Sequence, residues 1–254
     1  MKDVQNELAK VKLPIKKVGI NKLVWPLNVK IQGELQPTVA KFDMAVDLDK
    51  EIRGTHMSRF IETLKDIKIL EQKSLEKILS DLKTRLKSKK SYLKVQFTGF
   101  INKTAPKSKK QALVDIECAY IANLGKILKV NTFIKVPINT LCPCSKEISK
   151  YGAHNQRAIV SIEVSSDKIY SIEKLVEIAD LGASTPIYSL LKRVDEQYVT
   201  EQAYENPMFV EDAVREIGLA LEQLNDLDWY RVSVESIESI HNHNAFACIE
   251  KNSK

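Results

Sequence analysis

The sequence predicts an α+β protein built on antiparallel sheets, with helices stacked on one face of each sheet. Several segments alternate apolar and polar residues, which is typical of β-strands, and one of them is residues 38–48. Other segments repeat apolar residues every three or four positions, which is typical of amphipathic helices, and one of them is residues 75–86. The strands follow one another in pairs with helices between the pairs. This order argues against a doubly wound parallel sheet, in which strands and helices alternate strictly.

The predicted elements run along the chain in an order that we read as ββααββ, present twice. In the first half they cover residues 18–30, 38–48, 57–67, 75–86, 91–102 and 111–122. In the second half they cover residues 126–136, 157–165, 172–179, 186–198, 210–224, 230–240 and 244–250, which include one helical segment more than this order has. The seam lies near Leu124 and Gly125. We therefore expect an N-terminal module over residues 13–123 and a C-terminal module over residues 124–254.

Composition excludes several classes of protein. Of the 254 residues, 44% are hydrophobic and 28% are charged, which is ordinary for a soluble globular protein and argues against disorder. No apolar run approaches the ~18 residues needed to span a membrane, and the first residues lack the apolar core of a secretory signal. We therefore expect a cytoplasmic protein with no membrane partner, and four reduced cysteines.

The net charge of +6 is a mild excess of basic residues. The densest basic stretches, residues 83–90 and 103–110, contain no interleaved aromatic residues. We interpret them as the solvated end of a helix and a hairpin turn, and we expect no nucleic-acid partner. The excess is also consistent with an anionic small substrate.

The segment from Leu141 to Arg157 is the most unusual in the chain, because two thiols and an imidazole (Cys142, Cys144 and His154) lie between two predicted strands. Thiolate and imidazole are suitable ligands for zinc, iron(II) or manganese-class ions. No second cysteine pair accompanies them, so a catalytic metal site with an open position fits better than a closed structural zinc site. From the spacing alone, a metal site, a nucleophilic cysteine and an ordinary loop all remain open.

Two further segments carry candidate residues. His241 and His243 would point to the same side if their segment is extended, although a polar turn explains them equally well. Glu211 falls in the first turn of a strongly amphipathic helix, where the helix dipole favours an ionised carboxylate that can accept hydrogen bonds from a ligand.

A fourth segment precedes the first predicted helix and contains Arg53, His56 and Arg59 among hydroxyl side chains. Such a group at a helix N-terminus suits an anion, and an ordinary helix cap is the alternative. The chain has neither a GxxxxGK[ST] nor a GxGxxG motif, which argues against a P-loop nucleotidase and a Rossmann enzyme.

Five motifs, taken together and in order, resemble the GTP cyclohydrolase IB family, a prokaryotic type of enzyme. They are RGTHMSRF (residues 53–60), LCPCSKEIS (141–149), GAHNQR (152–157), NPMFVED (206–212) and SIHNHNAFA (239–247). The resemblance covers nearly the whole chain from about Leu13. It implies tandem tunnelling-fold (T-fold) modules, most of the metal and purine site in the C-terminal module, and a homotetramer.

The resemblance also implies the chemistry and the residues that perform it. GTP and water would give formate and 7,8-dihydroneopterin triphosphate, the first step of folate and pterin biosynthesis. A divalent ion (Zn²⁺, Mn²⁺ or Fe²⁺) would be held by the family's ligands, which fall on Cys142, His154, Glu196 and His241. Among these, Glu196 lies in the least distinctive segment.

The resemblance also guides the roles expected for the purine-binding and catalytic residues. The family's purine-anchoring glutamate corresponds to Glu211. The residues expected to act in catalysis are Cys144, His243 and Cys142. Arg53, His56 and Arg59 are expected to bind the triphosphate on physical grounds rather than by family assignment. Two alternatives remain: the related archaeal enzyme, which yields a cyclic phosphate, and a non-catalytic module that binds purine or metal.

Overall fold

The computed structural model describes residues 3–252; the last two residues of the predicted C-terminal module lie outside the described residues. The strands are β1 (Ile15–Ile31), β2 (Glu34–Leu48), β3 (Ile69–Leu70), β4 (Ser91–Thr104), β5 (Gln111–Leu124), β6 (Leu128–Leu141), β7 (Asn155–Ser166), β8 (Thr185–Pro186), β9 (Trp229–Ser236) and β10 (Ala245–Asn252). The helices are α1 (Ser58–Glu62), α2 (Gln72–Leu86), α3 (Pro143–Ile148), α4 (Ile172–Leu181), α5 (Arg193–Glu205) and α6 (Val210–Glu222). Within the described part of the chain, no helix is long and apolar enough to cross a membrane.

The predicted α+β class with antiparallel sheets is confirmed. The pairs β1–β2, β2–β4, β7–β9 and β9–β10 are all antiparallel, and a short parallel contact joins β1 to β3. The chain divides into two compact units, each made of several segments. Unit 1 comprises residues up to 98, 119–132 and 167–169, and unit 2 comprises residues 99–118, 133–166 and 170 onwards. The module boundary expected after residue 123 falls one residue before the end of β5.

Unit 1 orders its strands β3-β1-β2-β4, followed by its parts of β5 and β6. The β1–β2 hairpin turns at Gln32 and Gly33, whose positive φ angles of 50° and 81° suit the tight turn of a twisted hairpin. Helix α2 closes the core of this unit with apolar side chains on one face, as its periodicity predicts; the buried ones are Leu75, Ile78, Leu79 and Leu82.

Unit 2 orders its strands β10-β9-β7-β6, with β8 beside β6, followed by its parts of β5 and β4. Ser236, the last residue of β9, is paired with Ala158 of β7 on one side and with Ala245 of β10 on the other. The end of β9 and the starts of β7 and β10 therefore meet at one edge of the sheet. Helix α6 buries the apolar face that its sequence predicts, with Val210, Ala213, Val214, Ile217 and Leu221.

Two predicted helices differ from the structure. The helix expected over residues 57–67 is only the short α1, and the chain then continues in turns that still bury Leu64 and Ile67. A spacing of three or four residues is met by successive turns as well as by a helix, because both return the chain to the same side.

The helix expected over residues 186–198 begins only at Arg193. Pro186 pairs with β6 in the short strand β8, and the Asp195 carboxylate accepts a hydrogen bond from the Lys192 backbone N–H at 2.9 Å, which caps α5 at that point. Between β6 and β9 the chain thus holds α3, β7, α4, β8, α5 and α6, which are more elements than the predicted ββααββ order has there.

Candidate active site

A cavity of about 550 Å³ lies in unit 2 at the sheet edge where β7, β9 and β10 meet. Its wall contains a thiol, two imidazoles and two carboxylates, the side-chain types that hydrolytic chemistry uses. It is lined by Thr140, Cys142, Gln156, Met208, Phe209, Val210, Glu211, Ser236, Glu238, His241, His243, Ala245 and Phe246.

Cys142 owes its position to the end of β6 and the start of α3. It is the N-cap of α3, its Sγ accepts a hydrogen bond from the Ser145 backbone N–H at 3.5 Å, and Pro143 occupies the first helical turn, where proline is well tolerated. The Cys142 N–H donates to the His154 carbonyl at 3.1 Å, and the His154 N–H donates to Ser145 Oγ at 3.2 Å. Cys142 and His154 therefore lie on two chain segments that are joined by hydrogen bonds.

The ring of His154 is held by side chains on its Nδ1 side. Nδ1 lies 2.8 Å from Gln156 Oε1 and 3.2 Å from Ser239 Oγ. With Nδ1 engaged by protein, Nε2 is the nitrogen that remains for a ligand, which is the usual arrangement of a metal-binding histidine.

The structure brings His241 and His243 together. They lie in the loop between β9 and β10, both line the cavity, and their rings stack with centroids 5.1 Å apart and planes 16° apart. The loop bends instead of running as the extended strand that the sequence analysis considered.

Glu211 also lines the cavity, in the first turn of α6. The start of α6 is tied to the end of β6, because the Met208 N–H donates to the Leu141 carbonyl at 3.1 Å. Asp212 caps the helix by accepting from the Phe209 N–H at 3.2 Å, which leaves Glu211 free for another task. Within residues 3–252, no hydrogen bond or ion pair engages the Glu211 carboxylate.

Glu196 is exposed in the first turn of α5 and is outside the residues that line the cavity. Its neighbour Asp195 is buried and accepts backbone hydrogen bonds from Lys107, Ser108 and Lys192 at 2.8–2.9 Å. Burial opposes ionisation of Asp195, but these hydrogen bonds outweigh it and hold the pKa of the carboxyl well below its usual range. Asp195 thereby anchors the turn at 106–108 to the start of the helix that carries Glu196.

The far end of α5 is tied to the cysteine segment. Lys146 of α3 donates to the Tyr204 carbonyl at 2.5 Å, and its ammonium lies 4.5 Å from the centre of the Tyr204 ring.

Cys144, two residues before Lys146, is exposed on α3. By contrast, burial raises the pKa of the Cys118 thiol to about 12. All four cysteines are free thiols, as expected.

Arg53, His56 and Arg59 lie in unit 1, where each has a protein partner. Arg53 pairs with Glu7 at 2.5 Å, His56 Nε2 lies 3.3 Å from Asp3, and Arg59 donates to the Arg85 carbonyl at 2.7 Å. Arg59 lies in the five-residue helix α1, and the N-terminus of this helix has no side-chain cap. The triphosphate site expected here stays a prediction.

The four residues implied as metal ligands are only partly assembled. Cys142 and His154 are backbone neighbours, and Cys142 and His241 line one cavity. Across residues 3–252, no three His, Cys, Asp or Glu side chains are close enough together to hold one ion. The donor types nevertheless fit a Zn²⁺-like ion, and the contacts at Nδ1 of His154 leave Nε2 for a ligand.

The polar residues of the cavity wall that sequence reasoning missed include Gln156 and Glu238. Gln156 Nε2 donates to Ser236 Oγ at 3.2 Å and to Glu238 Oε1 at 3.4 Å. Gln156 lies in β7, two residues after His154, and the alternation of an extended chain puts both side chains on one side, which could have identified it. Nothing in the sequence indicates that Glu238 joins them, because that depends on the pairing of β9 with β7.

The fold and the cavity together define an α+β protein with a candidate active site that contains a cysteine, two histidines and two carboxylates. The sequence model of the family described as "Type I GTP cyclohydrolase folE2" matches residues 1–247, and the chain belongs to this family. It is 54% identical to GTP cyclohydrolase FolE2 of Dictyoglomus turgidum, over 99% of this chain and 98% of the relative. It is 50% identical to the enzyme of the same name from Thermotoga neapolitana, over 99% and 97%. It is accordingly a GTP cyclohydrolase, which catalyses the first step of folate biosynthesis.

Solved structures of other proteins share the fold at low sequence identity. Uricase from Arthrobacter globiformis superposes with a TM-score of 0.54 at 9% identity, covering 96% of each chain. A urate oxidase mutant of Bacillus sp. TB-90 gives a TM-score of 0.51 at 11% identity, over 94% of this chain and 99% of that one. At these identities the likeness concerns the fold alone.

Proposed function

We propose that the cavity in unit 2 is where GTP and water are converted to formate and 7,8-dihydroneopterin triphosphate. The observation that carries the proposal is the placement of the unpaired Glu211 carboxylate in the same cavity wall as Cys142, His241 and His243. A group that recognises a base and groups suited to hydrolysis thus share one cavity.

Glu211 would read the guanine base. Its carboxylate can accept hydrogen bonds from both N1–H and the 2-amino group, and adenine offers neither. The first turn of α6 places this carboxylate in the cavity wall. A carboxylate left unpaired by ATP would be penalised, so Glu211 would discriminate between the two nucleotides.

Cys142, His154, Glu196 and His241 would hold a divalent ion, with Zn²⁺, Mn²⁺ and Fe²⁺ as candidates. An ion bound there would lower the pKa of the water that attacks purine C8. The support is the thiolate–imidazole chemistry of Cys142 and His154 and their backbone contact. Glu196 would have to reach this set from the start of α5.

His243 and Cys144 would move protons as the ring opens and formate leaves. His243 faces the cavity and stacks on His241, which orients its ring. Arg53, His56 and Arg59 remain our choice for the triphosphate on grounds of charge, and Arg53 would exchange its Glu7 partner for phosphate.

We further propose that the chain adopts the T-fold, assembles as a homotetramer and is located in the cytoplasm. The fold that it shares with urate oxidase supports the T-fold. Light scattering of the purified protein tests the second, and a mass other than four chains would contradict it. Fractionation of cells that express the chain tests the third.

An assay with purified protein and GTP across Zn²⁺, Mn²⁺ and Fe²⁺, following formate and pterin fluorescence, tests the reaction. We expect equal amounts of formate and pterin with at least one metal, and negligible formate from ATP. Mass spectrometry of the product distinguishes the linear triphosphate from a cyclic phosphate, which would indicate the archaeal type of reaction. GTP binding without formate would indicate a non-catalytic module.

A further inference from the structure

We propose that Gln156 is a positioning residue that fixes the tautomer of His154, and that Glu238 fixes the orientation of Gln156. This inference deepens the proposed function, on which its reference to a metal rests. The geometry that carries it is a chain of hydrogen bonds from Glu238 through Gln156 to the imidazole.

The orientation of the Gln156 amide follows from its two partners on the far side. An ionised carboxylate only accepts hydrogen bonds, so the Gln156 atom 3.4 Å from Glu238 Oε1 must be the NH₂ group. The second hydrogen of that NH₂ group is used by Ser236 Oγ, which is buried and lies 3.2 Å away. Both donors of the amide are therefore committed, and its oxygen faces His154.

The oxygen in turn decides where the imidazole carries its proton. Gln156 Oε1 lies 2.8 Å from His154 Nδ1, and two lone pairs at that distance would repel each other. A proton on Nδ1 converts the contact into a hydrogen bond, and the Ser239 hydroxyl can also donate to Gln156 Oε1, 3.5 Å away. In the neutral ring Nε2 then carries a lone pair, the form in which histidine binds a metal.

Nitrogen-15 NMR of metal-free, GTP-free protein labelled at histidine tests the tautomer directly. The chain has only four histidines, and the His154→Ala spectrum identifies the His154 signals. At about pH 8, where an ordinary imidazole is neutral, we expect a protonated Nδ1 and an unprotonated Nε2 in the wild-type protein. A protonated Nε2 would overturn the inference.

Three variants separate the proposed role from a merely structural one. Gln156→Met removes the acceptor and leaves Ser239 free to donate to Nδ1, so the proton should shift toward Nε2 and the affinity for Zn²⁺ should fall by about 10- to 100-fold. Glu238→Gln removes the fixed acceptor and lets the Gln156 amide turn, so the same shift should appear in part. The double variant Gln156→Glu/Glu238→Gln exchanges amide and carboxylate, again presents an acceptor to Nδ1, and should restore both tautomer and affinity.

Gln111→Met, at an exposed glutamine outside the cavity, is the matched control and should change neither tautomer nor Zn²⁺ affinity. The inference is overturned if Gln156→Met and Glu238→Gln keep the proton on Nδ1, or if the double variant behaves as Glu238→Gln does. The tautomer is read without metal or GTP. The two proposals can therefore fail separately. If the wild-type protein shows the expected tautomer but binds GTP without releasing formate, the proposed function is contradicted and the inference about the ring is supported.

Discussion

The backbone N–H of Cys142 donates a hydrogen bond to the carbonyl oxygen of His154 over 3.1 Å. This bond closes the loop that contains α3 and joins the backbone of Cys142, just after β6, to that of His154, just before β7. The pair is thus positioned by main-chain atoms, so replacing either side chain should leave the loop folded. Variants at these two residues can therefore report on ligand binding.

Cys142→Ala and His154→Ala should each lose bound divalent metal and nearly all turnover while remaining folded. Each removes one donor atom of a mixed set, and the affinity of such a set depends on every ligand. Elemental analysis of the purified variants, with circular dichroism as the folding check, measures this. Cys248→Ala, at an exposed cysteine on β10, is the control and should keep its metal. Full occupancy in both site variants would remove these residues from the ligand set.

Cys144 should react with iodoacetamide at least ~100-fold faster than Cys118. The thiolate is the reactive species, and burial raises the pKa of Cys118 to about 12, whereas Cys144 is exposed. Mass spectrometry of peptides after timed labelling gives both rates. In denaturant the difference should vanish, which shows that it arises from the fold. Equal rates in the native protein would contradict the burial of Cys118 or the exposure of Cys144.

Glu211→Gln should keep its metal but lose GTP activity. Glutamine replaces one acceptor oxygen with an NH₂ donor, so the variant can satisfy only one of the two guanine N–H groups. Losing one charge-assisted hydrogen bond costs about 2–4 kcal/mol, or about 30- to 1000-fold in kcat/KM. ATP gains nothing from the carboxylate, so the preference for GTP over ATP should shrink.

The control for this variant is Glu216→Gln, at an exposed glutamate on the same helix that is outside the cavity lining. It should leave kcat/KM for GTP unchanged. Wild-type GTP kinetics in metal-replete Glu211→Gln protein would return Glu211 to the role of a solvated residue in a helix turn.

Asp195→Asn should lower the melting temperature at neutral pH, because asparagine offers one acceptor oxygen to three backbone N–H donors. The folded-state pKa of Asp195 lies below its usual range, so its stabilisation is present above the unfolded pKa of ~3.9 and is lost as the pH falls from there through the folded pKa. The difference from wild type should therefore shrink below about pH 4. Thermal unfolding followed by circular dichroism from pH 7 to pH 3 measures it.

Asp66→Asn, at an exposed aspartate, is the control for this pH series and should show little difference at any pH. A destabilisation by Asp195→Asn that stays constant down to pH 3 would mean that the carboxylate charge contributes nothing. The loss would then come from packing alone.

Local pattern was sufficient for most of the secondary structure. The apolar repeats of α2 and α6 and the alternation of the strands predicted these elements, because each buries one face and the period of the pattern follows its geometry. The two wrong helices lie at residues 57–67 and 186–198. In the second of them, the start of α5 depends on Asp195, whose carboxylate also binds a turn nearly ninety residues earlier in the chain. Such a distant contact leaves no local pattern.

The sequence by itself determined the fold class, the family resemblance and the residue types of the site, since motifs such as residues 141–149 and 239–247 carry them. Only the tertiary structure decided which of those residues share a cavity. Glu238 meets Gln156 because β9 pairs with β7. Glu211 lines the same cavity as His241 and His243, and the start of its helix is held beside the end of β6. Strand register and helix docking are set by the burial of many apolar side chains at once, so the meeting of two polar groups at a sheet edge follows from the whole core.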